Sequence, residues 1–492
     1  MTGNDGDPII PAQTRKALRS RWLGPWCAVL AVALVSCASQ NKVKRQKRQK
    51  AFEQVRAREE RSSVKRRNAR PLRRTQGRVR LDAMAKELNA IPQVIERPCA
   101  NALCTSRVLD KVFSRLDRLD TKRTGQVRVL QLGDSHIAAD YITKTIRSAL
   151  QDRFGNGGRG FVAIGQKARY GGRALRRAGW TRQRIVDDGQ AGLPFGTSGM
   201  VIEAQRGRAE ATFVLKPEDD LIGIHYHAHP GASAFTVAAD GELLETIQAR
   251  ADRPETREAE IPIPMHAMGG VVPPKTLKIT SDGEGVKLFG VSFEAEQPGI
   301  IYDSIGPVGA DAAVYLSFEQ ASMRNSIRAL APDLIVLMVG GNDALAVRKA
   351  VRSLDEVRQQ HVDLIDALKQ HAPEAECLVW APMDAGERVG NNVVSKRYIK
   401  EIRDLQRETA LEMGCAFWDT YESMGGQDSF GAWLEKGIMN ADLVHPRSKG
   451  GELMGHLFSR AFMNAYLGLD APEKAERRPR GSARPVTAAQ VQ

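Results

Sequence analysis

The stretch "VLQLGDSHIAADYITKTIRSALQDRFGNGGRGF", Val129–Phe161, decides how the chain is read. It sets an apolar run against a Gly-Asp-Ser-His turn and then an amphipathic segment that stops at Gly155. That order predicts a strand, a tight turn and a helix. In an open parallel sheet, ligands gather beyond the carboxyl ends of the strands. Ser135 falls at such an end, Gly133 permits the tight turn, and the following helix is expected to aim its free N–H groups and partial positive charge at the serine. Serine is also a good helix N-cap, so this turn alone does not fix a role for it.

Further along, the pattern changes twice. Between about Gly171 and Gln297 the chain is rich in Gly and Pro, with short alternating runs such as "GMVIEA", "ATFVL", "LIGIHYHA", "AFTVAAD", "TLKIT" and "VKLFGVSFEA". Short strands spaced by turn signals predict an antiparallel sandwich. From Gly299 onward strands and helices alternate. "DLIVLMVGGND" carries the unbroken apolar run of a parallel strand covered on both faces, and "ECLVWAPMD" and "CAFWDT" follow between helical segments. This alternation predicts a doubly wound α/β domain that an all-β module interrupts.

Two more strand ends carry chemistry. Gly340-Gly341-Asn342-Asp343 follows the buried run, and Asp442 precedes His445 by three residues ahead of a helix. On a turn, that spacing lets the carboxylate meet Nδ1 of the imidazole and leaves Nε2 to take a serine proton. No GxSxG elbow occurs, which argues against the usual α/β-hydrolase arrangement. Asp343 is read as structural. His225, His227 and His229 alternate along one strand and are read as sandwich surface rather than metal ligands. Tyr170 and Trp180 fit either core packing or sugar stacking.

Gly133–His136, the glycine of "SIGPVGAD", Gly340–Asp343 and Asp442–His445 together resemble, in order, the four blocks of the SGNH (GDSL) hydrolases. The resemblance implies Ser135 as nucleophile, His445 as general base and Asp442 as its orienter. It implies oxyanion donors at the Ser135 N–H, the Gly309 N–H (with Gly306 the alternative glycine) and the Asn342 side chain. Over roughly Val127–Gly165 and Ile300–Leu467 the chain resembles the peptidoglycan O-acetylesterases of the Ape type, which also carry a carbohydrate-binding-module-like β-domain between the serine and glycine blocks. The implied fold is α/β: an SGNH-hydrolase-like three-layer domain with a parallel sheet, in two parts over 101–170 and 298–470, interrupted by a β-sandwich over 171–297. The implied reaction is removal of O-acetyl groups from an envelope polysaccharide through an acetyl-enzyme, with no metal and no organic cofactor. Acetyl transfer to sugar with the same triad and a non-catalytic wall-binding lipoprotein are the alternatives.

The termini place this domain outside the cytoplasm. Arg15, Lys16, Arg19 and Arg21 flank the apolar stretch Trp22–Ser36, which suits a signal-peptide core and is short for a membrane span. "LVSC" resembles the bacterial lipobox, so residues 1–37 are expected to direct lipidation of Cys37, and Ala38 favours the outer membrane, facing the periplasm. Nearly all of the net charge of +14 sits in Asn41–Arg80, with 17 Lys/Arg against 3 Asp/Glu. Residues 38–100 are therefore expected to be a tether, largely disordered or helical, whose basic part, 41–80, can contact anionic lipid or wall polymer. Aromatic side chains are nearly absent from it, which speaks against nucleic acid. The tail 471–492 is Pro/Ala/Arg-rich and expected to be disordered. Cys27 leaves with the signal, Cys99 and Cys104 are close enough to bridge a small loop, and Cys377 and Cys415 are read as core thiols.

Overall fold

The apolar runs predicted as parallel strands assemble into one six-stranded sheet. The computed structural model describes residues 71–98, 107–164, 174–187, 189–264 and 274–468. Cys37, the arm over 41–70, Cys99, Cys104, Tyr170 and the tail 471–492 lie outside the described residues. Across the sheet the strands run Ile95–Glu96, Ala416–Trp418, Glu376–Trp380, Leu334–Met338, Gln126–Gly133 and Gly299–Ile305. Neighbours are parallel except for the antiparallel edge strand Ile95–Glu96. From the serine strand Gln126–Gly133 the chain returns first to one side, at Gly299–Ile305, and then to the other, at Leu334–Met338. The order reverses at the serine strand, and such a switch point opens a crevice at the carboxyl ends.

Successive strand residues face opposite layers. Val127 and Val129 join one core with Ile142, Trp418 and Leu453, beneath the helices Tyr141–Phe154 and Ser448–Leu467. Leu130 and Leu132 join the other with Ile327, Leu364 and Ala410, beneath Gln320–Leu330, Leu354–His371 and Ile399–Glu412. The result is a three-layer α/β domain.

The inserted module has two antiparallel sheets. One orders Glu242–Gln248, Ala234–Ala239, Thr276–Ser281, Ala209–Val214 and Ala174–Ala178. The other orders Glu255–Pro262, Leu221–Ala228, Lys287–Glu294, Met200–Ala204 and Trp180–Arg184. Phe213, Ile224, Phe235, Leu277, Leu288 and Phe293 fill the space between them. Buried charge joins module to hydrolase sheet. Arg128 of the serine strand donates to both carboxylate oxygens of Asp303, at 2.7 and 3.0 Å, and to Glu294 at 2.6 Å. Asp303 also accepts the Phe161 N–H at 2.7 Å.

Several expectations are corrected. The tether does not extend to residue 100: the helix Pro71–Glu87 buries Ala85, and Ile95–Glu96 pairs with Phe417 and Trp418. Leu81, Met84, Ala85 and Leu88 sit three and four residues apart, enough to give an arginine-rich helix one apolar stripe. The module also begins earlier than 171, because Gly160–Ala163 pairs with Lys287–Glu294. Gly155 and Gly157 are hydrogen-bonded to Ile300, which delivers the following residues to the module's sheet. Finally, Cys377 and Cys415 form a disulfide, with a Cα–Cα distance of 4.9 Å. Leu378 lies opposite Ala416 in the parallel register, so the residue before each meets its counterpart within bridging range.

Candidate active site

Gly133 closes the serine strand where a side chain has no room: an added Cβ would collide with the Ile137 side chain and the Met338 carbonyl. Asp134 caps the turn by accepting the His136 N–H at 2.8 Å. The helix expected to run from this turn to Gly155 is two helices, Ser135–Ala138 and Tyr141–Phe154. Asp140 breaks it with a φ of 53°, and its carboxylate accepts from Thr143 Oγ1 at 2.5 Å and Arg147 at 2.7 Å. The longer helix therefore does not aim its dipole at Ser135. As the first residue of its helix, Ser135 retains an N–H with no intrahelical acceptor.

Three side chains far apart in sequence meet here. Ser135 Oγ lies 2.7 Å from His445 Nε2, and His445 Nδ1 lies 2.9 Å from Asp442 Oδ2. The other Asp442 oxygen accepts the N–H groups of Val444 and His445, each at 2.9 Å. Partial burial pushes the Asp442 carboxyl up, but hydrogen bonds from the His445 N–H, the His445 ring and the Val444 N–H outweigh it and hold the group below the ordinary carboxylate range. An ionised Asp442 fixes the proton on Nδ1, which leaves Nε2 to accept from the Ser135 hydroxyl.

Ser135 and His445 line a cavity of about 250 Å³ together with Gly309 and Asn342. Asn342 Nδ2 donates one hydrogen to the Ala310 carbonyl at 2.8 Å; a primary amide has a second to offer. The Gly309 N–H has no acceptor among the described residues. Gly306 does not line the cavity; it packs behind the serine turn, where an added Cβ would strike the Asp134 carbonyl. Met338, Val339 and Met383 make an apolar floor. A larger cleft of about 500 Å³, between Pro71–Glu87, Tyr141–Phe154 and Ser448–Leu467, holds none of the three converging side chains.

The remaining candidates lie elsewhere. Asp343 is buried 3.6 Å from His361 and 4.0 Å from Arg352, and does not line the cavity. His225 and His227 are buried in the module, and burial pushes them down to about 3 and about 4. His229 Nε2 is hydrogen-bonded to the Gly285 carbonyl at 2.7 Å. Trp180 packs half-buried against the module core. Among the described residues no three metal-ligating side chains converge.

Sequence reasoning missed two features. His136 reaches back to the loop that carries His445, with Nδ1 2.9 Å from Asp134 and Nε2 3.3 Å from the Val444 carbonyl. Arg348, Lys396 and Arg397 also line the cavity; their only signal in the sequence is the pair Lys396-Arg397.

Residues 308–453 match the model of the GDSL-like lipase/acylhydrolase family. The chain carries a GDSL-like acylhydrolase domain. The match covers Gly309, Asn342, Asp442 and His445. Ser135 precedes it, separated by the inserted module. A solved peptidoglycan O-acetylesterase is similar over 75% of this chain and 99% of its own, at 20% identity and a TM-score of 0.62, which shows a common fold. An acetylxylan esterase from Geobacillus stearothermophilus covers 33% of this chain and 72% of its own, at 19% identity and a TM-score of 0.26. Comparison by sequence with curated proteins finds no match.

Proposed function

We propose that the protein is a serine esterase that removes O-acetyl groups from a cell-envelope polysaccharide, with peptidoglycan as substrate. The hydrogen-bonded series Ser135–His445–Asp442 at the mouth of a small cavity carries this reading. Ser135 Oγ attacks the acetyl carbonyl as His445 Nε2 takes its proton. The oxyanion is held by the Ser135 and Gly309 N–H groups and by Asn342. His445 returns the proton to the departing sugar oxygen, leaving an acetyl-enzyme. Water, deprotonated by His445, releases acetate and restores the serine. Asp442 holds the ring in the required tautomer throughout. The peptidoglycan assignment draws support from the similar fold of the O-acetylesterase.

The site in the envelope is part of the same proposal: a lipid on Cys37 anchors the protein to the outer membrane, facing the periplasm, and the basic arm contacts anionic polymer or lipid. The Cys377–Cys415 disulfide supports an oxidising compartment. Loss of lipid labelling and of membrane fractionation in Cys37→Ser would be the expected result.

The decisive experiment is acetate release from O-acetylated peptidoglycan by the wild type and by Ser135→Ala, with and without an added sugar acceptor. Release that depends on Ser135 and not on the acceptor supports the esterase. Transfer of acetyl to the acceptor indicates a transferase, and release undiminished in Ser135→Ala overturns the nucleophile.

A further inference from the structure

The cavity that holds Ser135 and His445 is also lined by three cations, Arg348, Lys396 and Arg397. After the strand Glu376–Trp380 the chain forms a two-stranded hairpin, Gly386–Val389 and Asn392–Ser395, and Lys396 and Arg397 follow it into the cavity lining. The hairpin is fastened at its base. The Gly386 N–H donates to the Leu443 carbonyl at 2.9 Å, on the loop that carries His445, and the Lys396 N–H donates to the Ala385 carbonyl at 2.7 Å. Ser395 and Asp428 exchange two hydrogen bonds of 2.7 Å. The backbone that carries Lys396 and Arg397 is therefore tied to the loop that carries His445.

Two of these cations, Lys396 and Arg397, make no direct ion pair among the described residues. Arg348 is engaged with Glu387 at 3.3 Å, Asp442 with His445 and Asp134 with His136. The Arg397 guanidinium rests over the Tyr398 ring at 5.3 Å. Lys396 is half-buried; burial and the nearby Arg348 outweigh the pull of Asp442 and Glu387 and push its ammonium below the ordinary lysine value. A partly desolvated cation without a partner is costly, and an arriving anion would relieve it.

We propose that Lys396 and Arg397 form a subsite for a carboxylate of the substrate, so that the preferred ester is an O-acetylated acidic sugar; this rests on the esterase reading. A cavity of about 250 Å³ has room for an acetyl group and part of one sugar ring. The cations line that same cavity, so the carboxylate belongs to the acetylated sugar itself or to a short substituent on it.

The test measures binding, in the Ser135→Ala protein, of O-acetylated N-acetylmuramic acid and of its neutral methyl amide. The acid should bind about 10-fold more tightly than the amide, as expected of roughly one effective charge contact. High salt should narrow the difference, and adding Lys396→Gln and Arg397→Gln should abolish it. Binding of the amide by the substituted protein reports that the cavity has folded. Equal affinity for acid and amide, or an acid preference that survives both substitutions, overturns the subsite. Failure of the esterase reading would show separately, as acetate release that does not need Ser135, and would leave the acid-to-amide ratio readable.

Discussion

The imidazole of His136 lies 5.2 Å from that of His445, centroid to centroid, with the rings tilted by 35°. His136 faces an acceptor at each nitrogen, the Asp134 carboxylate and the Val444 carbonyl, so satisfying both requires the protonated ring. Burial opposes that charge, but Asp134 outweighs it, through charge and hydrogen bond, with Val444 and Asp442 adding to the effect; the ring is held above the ordinary histidine value. The raised value means that the contact's contribution to stability is complete below the unfolded histidine value of about 6.5 and is lost as pH rises through the folded one. His136→Leu should lower kcat by about 10- to 100-fold through loosening of the Val444–His445 loop. His136→Gln, which can donate to Val444 without titrating, should recover part of that loss and flatten the alkaline limb of the pH–rate profile. An unchanged alkaline limb in His136→Gln would exclude this positioning role.

Asn342→Ala should lower kcat by about 10²- to 10³-fold, the usual effect of losing one oxyanion donor. The fold loses only the hydrogen bond to the Ala310 carbonyl, worth about 1 kcal/mol. Kinetics and thermal unfolding of one preparation separate the two effects. Full activity would remove Asn342 from the oxyanion site.

Asp442→Asn keeps the shape of the side chain but no longer fixes the proton on His445 Nδ1. By the precedent of other serine triads, kcat should fall by about 10⁴-fold. The wild-type carboxyl is held below its ordinary range, so its contact is present above the unfolded value and is lost only as pH falls through the lower folded one. Protonation of Asp442 itself should therefore contribute to acid inactivation only below the ordinary carboxylate range, and Asp442→Asn should remove that contribution. Comparing the acid limbs of the pH–rate profiles of the wild type and the variant checks this; identical limbs would show that Asp442 does not titrate in that window.

The parts legible in the sequence were those whose local pattern repeats their physical role. Ser135 and Asn342 stand just beyond the ends of apolar strands, where such turns announce themselves; His445, expected at a strand end, follows two short helices, Thr420–Met424 and Ser429–Glu435, and only its spacing from Asp442 marked it. Glu242–Gln248 and Glu255–Pro262 were missed because each is the outer strand of its sheet and is largely solvent-exposed. Edge strands carry charge that blurs alternation. The hairpin at Gly386–Ser395 has strands of 4 residues each, too short for a period to show, so Lys396 gained no context. His136 reads as a neighbour of the serine; its contact with Val444 spans 308 positions and exists only in the folded chain.

The buried cluster of Arg128, Asp303 and Glu294 sets up a different prediction. Asp303→Asn should leave Arg128 buried with one carboxylate fewer, and breaking a buried pair from one side costs about 3–5 kcal/mol. Arg128→Met together with Asp303→Leu removes both charges and should recover much of the loss. Urea unfolding of the single and paired variants measures the difference. A single variant as stable as the wild type would show that the joint between sheet and module does not depend on this ion cluster.

The disulfide gives a prediction in which stability and activity part. Cys377 and Cys415 close a loop with a sequence separation of 38, and a cross-link of that span stabilises by about 2–4 kcal/mol through restriction of the unfolded chain. Cys377 is the second residue of the strand Glu376–Trp380 and Cys415 directly precedes Ala416–Trp418, so both lie at the amino ends of their strands, opposite the crevice that holds Ser135. Replacing both cysteines with alanine should lower the unfolding midpoint while kcat and KM at room temperature stay at wild-type values. A reducing agent should lower the midpoint of the wild type and leave that of the double variant where it is. A midpoint in the double variant equal to that of the oxidised wild type would show that the bridge adds nothing to the fold, and a loss of kcat would show that the amino ends of the strands are mechanically linked to the serine turn.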